Sequence, residues 1–210
     1  NELVDDFNLT SNFGVTIGAM VDTNRDDELI PNGQLGVSYK GFKNASIMLK
    51  YEYDMEPFRP EEFYLQKKYI QPVFDLPPGR VHHGQCRIDY RMNSTINMKL
   101  LGKVEHNRHF YNYYQVQPGD VLMAYTEETL NAGGEFTAVL YLVKRILNFQ
   151  VGYQYDYYYA DRKITYRPQH RFNGTVNFNG NNWKMTWENS LLGRMYTDPD
   201  SDHTLDSSIV

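Results

Sequence analysis

The chain has 210 residues, 41% of them hydrophobic, and a mean hydropathy of −0.62. Its longest apolar run, Ala138–Val143, falls far short of the roughly 20 residues of a membrane helix. The net charge of −5 offers no basic footprint for nucleic acid, and the single cysteine, Cys86, excludes an internal disulfide framework and a cysteine-rich metal centre.

Read in chain order, one pattern recurs. A strand points successive side chains to opposite faces, so strict apolar/polar alternation marks a ribbon with two unlike sides. "FGVTIGAM" sets Phe13, Val15, Ile17 and Ala19 on one parity, and "LGVSYK" does the same with Leu35, Val37 and Tyr39. "NASIMLKYEY" sets Ala45, Ile47, Leu49, Tyr51 and Tyr53 against Ser46, Met48, Lys50 and Glu52. "QCRIDYRM" and "INMKLLGKVE" repeat it with Cys86, Ile88 and Tyr90, then Ile96, Met98, Leu100 and Val104. "EFTAVLYLV" is apolar on both parities, whereas "NFQVGYQYDYYY" alternates almost without error from Phe149 to Tyr157. "RFNGTVNF" and "WKMTWENS" complete about nine strands of about ten residues, and "SSIV" opens a possible tenth. No helix longer than about two turns is expected.

Connections alternate in length. "GFKN", "NST", "KRIL" and "NGNN" read as hairpin turns. Between them lie "TNRDDELIPN", residues 56–81, residues 107–132 and "ADRKITYRPQ". Short turns at one end and long loops at the other fit an outer-membrane barrel. The charged parity (Lys50, Glu52, Arg87, Asp89, Arg91, Lys99, Lys103, Glu105, Lys184, Glu188) is too polar for a second packed layer. Its mixed sign favours mutual pairing or pairing with a plug. The opposite parity predicts lipid contact for Ile47, Leu49, Ile88, Leu100, Val151, Met185 and Trp187. Tyr51, Tyr53, Tyr153, Tyr155 and Tyr157 would form an aromatic girdle at the long-loop end; tyrosine supplies 18 residues of a chain that is 15% aromatic. A soluble tyrosine-rich sandwich or a lipocalin-like barrel is the alternative reading.

Four segments in order resemble the C-terminal barrel region of TonB-dependent outer-membrane receptors. "EPFRPEEFYL" (56–65) is similar to the family's "FRAP…ELY" segment, and "DLPPGRVHHGQCRIDYRM" to the segment that closes the same loop. "NAGGEFTAVLYLVKRILNFQVGYQYDYYYAD" and the stretch from "YRPQHRFNGT" to "SSIV" resemble two late hairpins. The resemblance covers about residues 9–210. It departs at Glu61, which follows Phe58-Arg59-Pro60, and at Gly79, where the family carries Glu. Nothing resembles the plug, the TonB box or the closing strands. The resemblance implies an all-β fold: an antiparallel transmembrane β-barrel segment, about 9–10 strands of a larger, 22-stranded barrel, with residues 1–210 in one barrel domain and no plug among them. It implies a receptor/transporter importing a scarce nutrient such as a metal chelate, cofactor or oligosaccharide. Its partners would be outer-membrane lipid, the remaining strands and plug, and a TonB-type coupling protein. A passive porin or a structural barrel anchoring a surface complex is the rival.

Ligand contact is expected in the external loops, at Phe58, Arg59, Tyr64, Arg108, His109, Tyr111, Tyr113 and Tyr114, where aromatic rings beside arginine suit a planar or catecholate ligand. The pairs His106/His109 and His82-His83 lack an accompanying Cys or carboxylate cluster, so no metal site or cofactor is assigned. No catalytic motif occurs, and no enzyme activity is assigned. "DDFNLTSN" reads as turn-like. Strand 13–22 and the segment from Ser207 would then each pair with a strand outside these 210 residues.

Overall fold

The structure is a computed structural model that describes residues 2–23, 29–56, 70–71, 79–114, 122–143, 146–180, 182–200 and 202–209. The described residues contain no helix. The strands are β1 (Glu2–Asn8), β2 (Phe13–Thr23), β3 (Leu29–Phe42), β4 (Ala45–Glu56), β5 (Ile70–Gln71), β6 (Gly79–Arg91) and β7 (Ile96–Tyr114). They continue with β8 (Leu122–Val143), β9 (Leu147–Ala160), β10 (His170–Asn179), β11 (Lys184–Leu192), β12 (Met195–Tyr196), β13 (Thr204–Leu205) and β14 (Ser208–Ile209).

Ten of them form an antiparallel meander in chain order, β1-β2-β3-β4-β6-β7-β8-β9-β10-β11, with β14 added beside the end of β11 and β5 paired to β8. Because each neighbour is also the next long strand, every cross-strand pair follows from one hairpin closure. The hairpins at Lys43-Asn44, Met92–Thr95, the link before Leu147 and the link before Lys184 all fall at one end, as the sequence requires.

Register turns the alternation into two faces. One row runs Phe13–Tyr39–Ile47–Ile88–Leu100–Phe136–Tyr153–Phe172–Leu191 across nine strands, and every member is apolar or aromatic. A row on the other face runs Asp6–Thr16–Gly36–Lys50–Gln85–Lys103–Gly133–Asp156. Among the described residues the apolar face has no second layer: Leu49, Leu100, Val151, Met185 and Trp187 are all more than half exposed (51–61%). A sandwich would pack a second sheet on such a face, and none does so among the described residues. Glycines apart, buried residues such as Val81, Asn107, Phe110, Thr129, Asn131, Asp156, Ile164 and Thr165 gather at the long-loop end.

Three expectations are corrected. Residues 2–8 are strand rather than turn: β1 pairs with β2 from Glu2↔Met20 to Asn8↔Gly14, and Thr16 Oγ1 donates to Asp6 Oδ1 at 2.5 Å. Strand 13–22 therefore has both edges filled within the chain, by β1 and β3. The segment from Ser207 likewise pairs inside the chain, Leu191↔Ile209 and Leu192↔Ser208. Third, β7 and β8 run to 19 and 22 residues, so most of the expected loop 107–132 is a hairpin ladder reaching Tyr114↔Met123.

Candidate functional site

The polar face is a wall of interlocked charges. Lys50 Nζ donates to Glu52 Oε1 at 2.5 Å, with His83 Nδ1 at 3.7 Å from Glu52 Oε2. Arg87 grips Asp89 at 2.7 Å, and Lys99 approaches Glu135 at 4.0 Å. Residues i and i+2 share a face on one strand, which is why the first and third of these pairs form within a single strand. Of the ten charges expected to pair, Lys50, Glu52, Arg87, Asp89, Lys99 and Lys103 do so among the described residues, whereas Arg91, Glu105, Lys184 and Glu188 do not.

One pair instead spans three strands. Lys103 on β7 and Asp156 on β9 both register against Gly133 on β8, and Lys103 Nζ lies 2.7 Å from Asp156 Oδ1. Asp156 is 5% exposed and also accepts from Gln154 Nε2 at 2.6 Å. Glycine is needed between them, because a Cβ at Gly133 would stand 2.5 Å from Asp156 Oδ1 and 2.8 Å from the Tyr155 carbonyl oxygen.

Above this bridge the connection 161–169 covers the polar face. Arg167 sits over the Phe110 ring at 4.5 Å, and Phe110 lies 6.3 Å from Tyr158. The backbone N–H of Arg162 donates to Glu127 Oε1 at 2.6 Å. Tyr166 adopts φ 56°, a left-handed conformation that costs a non-glycine residue roughly 1–2 kcal/mol. It is held by its N–H to the Tyr196 carbonyl at 2.8 Å and by the Thr165↔Tyr196 bridge. Burial, and then the Asp198 carboxylate, push the Tyr166 phenol above its ordinary range. Lys163 bonds the Asp202 carboxylate, which holds that acid below the usual range, and stacks over the Tyr196 ring at 5.0 Å. The β12–β13 hairpin and the 161–169 connection thus form one cap.

The sequence-derived ligand residues divide. Phe58, Arg59 and Tyr64 lie outside the described residues. Arg108 is exposed and His109 half-buried, both in the irregularity between Asn107↔Thr129 and Phe110↔Glu127. Three steps on β7 oppose two on β8 there, which is a β-bulge. The backbone of Tyr111, Tyr113 and Tyr114 pairs with Thr126, Ala124 and Met123, placing these residues on a ladder and not in an irregular loop. His106 and His109 therefore stand on a bulged strand rather than on a helical turn, and His106 Nε2 meets Glu128 Oε1 at 2.8 Å. Sequence reading missed Arg167, Tyr158 and Asp156 as a cluster. Only the charged or phenolic residues on the polar parity hinted at the last two.

No protein-family profile matches the chain. No curated protein matches it. Solved structures do. The siderophore receptor PirA from Acinetobacter baumannii superposes with a TM-score of 0.70 at 10% identity, over 99% of this chain and 37% of that one. The copper transporter OprC gives 0.67 at 10% identity, over 98% and 38%. The pyoverdine outer-membrane receptor FpvA from Pseudomonas aeruginosa PAO1 gives 0.65 at 15% identity, over 100% and 34%. The chain spans little more than a third of the length of these structures. At such identities the likeness fixes the fold alone: the sheet has the arrangement of part of the β-barrel wall of these solved structures, with its apolar rows on one face and its charged rows on the other.

Proposed function

We propose that these strands form part of the wall of an outer-membrane receptor that imports a scarce nutrient, such as a metal chelate, a cofactor or an oligosaccharide, and that the chain is not an enzyme. The observation that carries this reading is the cap at the long-loop end. Contacts of Arg162 with Glu127 and of Arg167 with Phe110 lay the 161–169 connection, tied to β12 through Thr165↔Tyr196, on the polar face, which suits a receptor better than an open pore. The neighbours named for copper, pyoverdine and siderophores share this fold. External ligand contact at Phe58, Arg59, Tyr64, His109, Tyr111, Tyr113 and Tyr114 is part of the proposal; Arg108 is left out of it, because its place after outward His106 on β7 puts it on the opposite face.

Among the described residues the outer edge of β1 and most of one edge of β11 are unpaired. Unpaired backbone in lipid costs several kcal/mol per group, so further strands, on this polypeptide or another chain, complete the wall in the proposal. A plug and a TonB-type energy-coupling protein complete the transporter.

Uptake tests this reading. Cells lacking the gene should lose accumulation of one labelled chelate, cofactor or oligosaccharide from a panel, and a protonophore should abolish it in the parent. Uptake that survives the protonophore would identify a porin; no uptake difference across the panel would favour a structural barrel.

A further inference from the structure

The outward face carries a patterned column that wall-building does not require. On β6 the outward residues from the long-loop end are Arg80, His82, Gly84, Cys86 and Ile88; on β7 they are Arg108, His106, Val104, Gly102 and Leu100. The register sets these in mirrored pairs, His82↔His106, Gly84↔Val104, Cys86↔Gly102 and Ile88↔Leu100. Arg80 and Arg108 follow directly beyond the last pair, Val81↔Asn107, so both stand at the rim of the same two strands. Small side chains in the middle leave a groove of roughly 670 Å³, lined by Leu35, Val37, Leu49, Cys86, Gly102 and Val104. Its surface is almost wholly apolar.

Height matters as much as composition. Ten residues separate Tyr90, near the short-turn end, from Arg80; at about 3.4 Å per residue and a tilt near 45° this is about 24 Å along the membrane normal. The apolar band of such barrels is about 25 Å tall. The groove therefore lies at acyl-chain depth, and the arginines lie where headgroups begin.

The polar groups at the rim have an uneven balance. His82 Nδ1 is 2.6 Å from Tyr51 Oη, and its ring stacks on His106 at 6.2 Å. Glu128, the only acid facing this patch among the described residues, is engaged by His106 at 2.8 Å. Arg80 and Arg108 are exposed, and neither side chain forms an ion pair or hydrogen bond with a described residue. Two exposed guanidinium groups above an acyl-sized groove suit an amphipathic anion, since arginine forks match phosphate oxygens in pairs.

We propose that this column is a binding site for a phosphorylated, multi-acyl lipid of the outer leaflet. One acyl chain fills the groove over Gly84, Cys86 and Gly102, and Arg80 and Arg108 hold the phosphate. The site rests on the outer-membrane placement of the sheet and is independent of whether the barrel transports anything. Glu128 sits beside the phosphate as an opposing charge, which keeps the lipid exchangeable.

The test uses the full-length protein, stripped of lipid by detergent exchange and offered bisphosphorylated lipid A, enzymatically dephosphorylated lipid A, or phosphatidylcholine. Native mass spectrometry reads the fraction carrying a lipid adduct, and gel mobility without heating confirms the folded barrel. Lipid A should be retained over both other lipids. R80Q/R108Q should weaken retention about thirtyfold, as expected for two basic residues beside an anionic lipid headgroup. Gly102→Leu, which fills the groove, should weaken it with the charge unchanged; if that variant misfolds, the rim variants carry the test. Glu128→Gln should strengthen retention. Equal retention of dephosphorylated lipid A, parent-like retention by R80Q/R108Q, or weaker retention by Glu128→Gln would overturn the proposal, the last pointing to a cation held by His106 and Glu128 instead.

Discussion

Removing the Lys103 charge should destabilise the wall only while Asp156 remains charged. Asp156 is 5% exposed, and the side chains of Lys103 and Asp156 are 21% and 8% exposed. Lys103→Met leaves the Asp156 carboxylate with the Gln154 amide, which donates to it at 2.6 Å. Deleting one partner of a fully buried pair costs about 3–5 kcal/mol; the partial exposure of Lys103 and the surviving amide bond bring the expected cost to about 2–3 kcal/mol. Asp156→Asn in the same background removes the stranded charge, so the double variant should regain most of that loss, with a coupling energy of about 2 kcal/mol. Gly133→Ala probes the same bridge from the strand between. Its Cβ would press on Asp156 Oδ1 at 2.5 Å and on the Tyr155 carbonyl at 2.8 Å, for about 1–3 kcal/mol. Urea titration of the full-length protein in phospholipid vesicles, followed by tryptophan fluorescence, gives each midpoint; a shift at constant slope is a stability change. Strictly additive effects of Lys103→Met and Asp156→Asn would refute the three-strand bridge.

The face assignment has its own test. Leu49 lies four residues above Ala45, about 10 Å up a tilted strand and near the middle of the apolar band, so Leu49→Arg should cost about 2–4 kcal/mol in the same titration, while Lys50→Arg on the lumen side stays within about 0.5 kcal/mol. In the cap, Arg167→Gln should cost about 1–2 kcal/mol of local stability by removing the stack on Phe110, read as faster amide exchange over 161–169. Asp202 has a lowered carboxyl pKa because it accepts from Lys163, so its contribution is whole above the ordinary carboxylate value of about 3.9 and is lost as pH falls through the lowered value. Amide exchange in 161–169 and 202–206 should accelerate together in acid, and Asp202→Asn should remove that pH dependence.

Which residues of each strand share a face was decided by the sequence alone, because a strand's period of two is a local property. Leu49 and Lys50, or Val151 and Gln150, need no partner to be assigned to opposite faces. The positions of the short hairpins were equally local, since residues such as Asn44, Asn93 and Gly180 favour tight reversal where they stand. Strand β1 was not legible: Asp5 and Asp6 are poor strand formers, and what holds them extended is the neighbour β2, including the Thr16–Asp6 hydrogen bond. Alternation would have set Phe110 outward with His106 and Arg108. The bulge beyond Asn107 moves it to the buried face beneath Arg167, and a bulge is defined by two strands together. The Lys103–Asp156 bridge is likewise written on three strands at once, 53 residues from one end to the other. Its glycine has no meaning until register places it between the charges, because register is a property of paired backbones and not of any one segment.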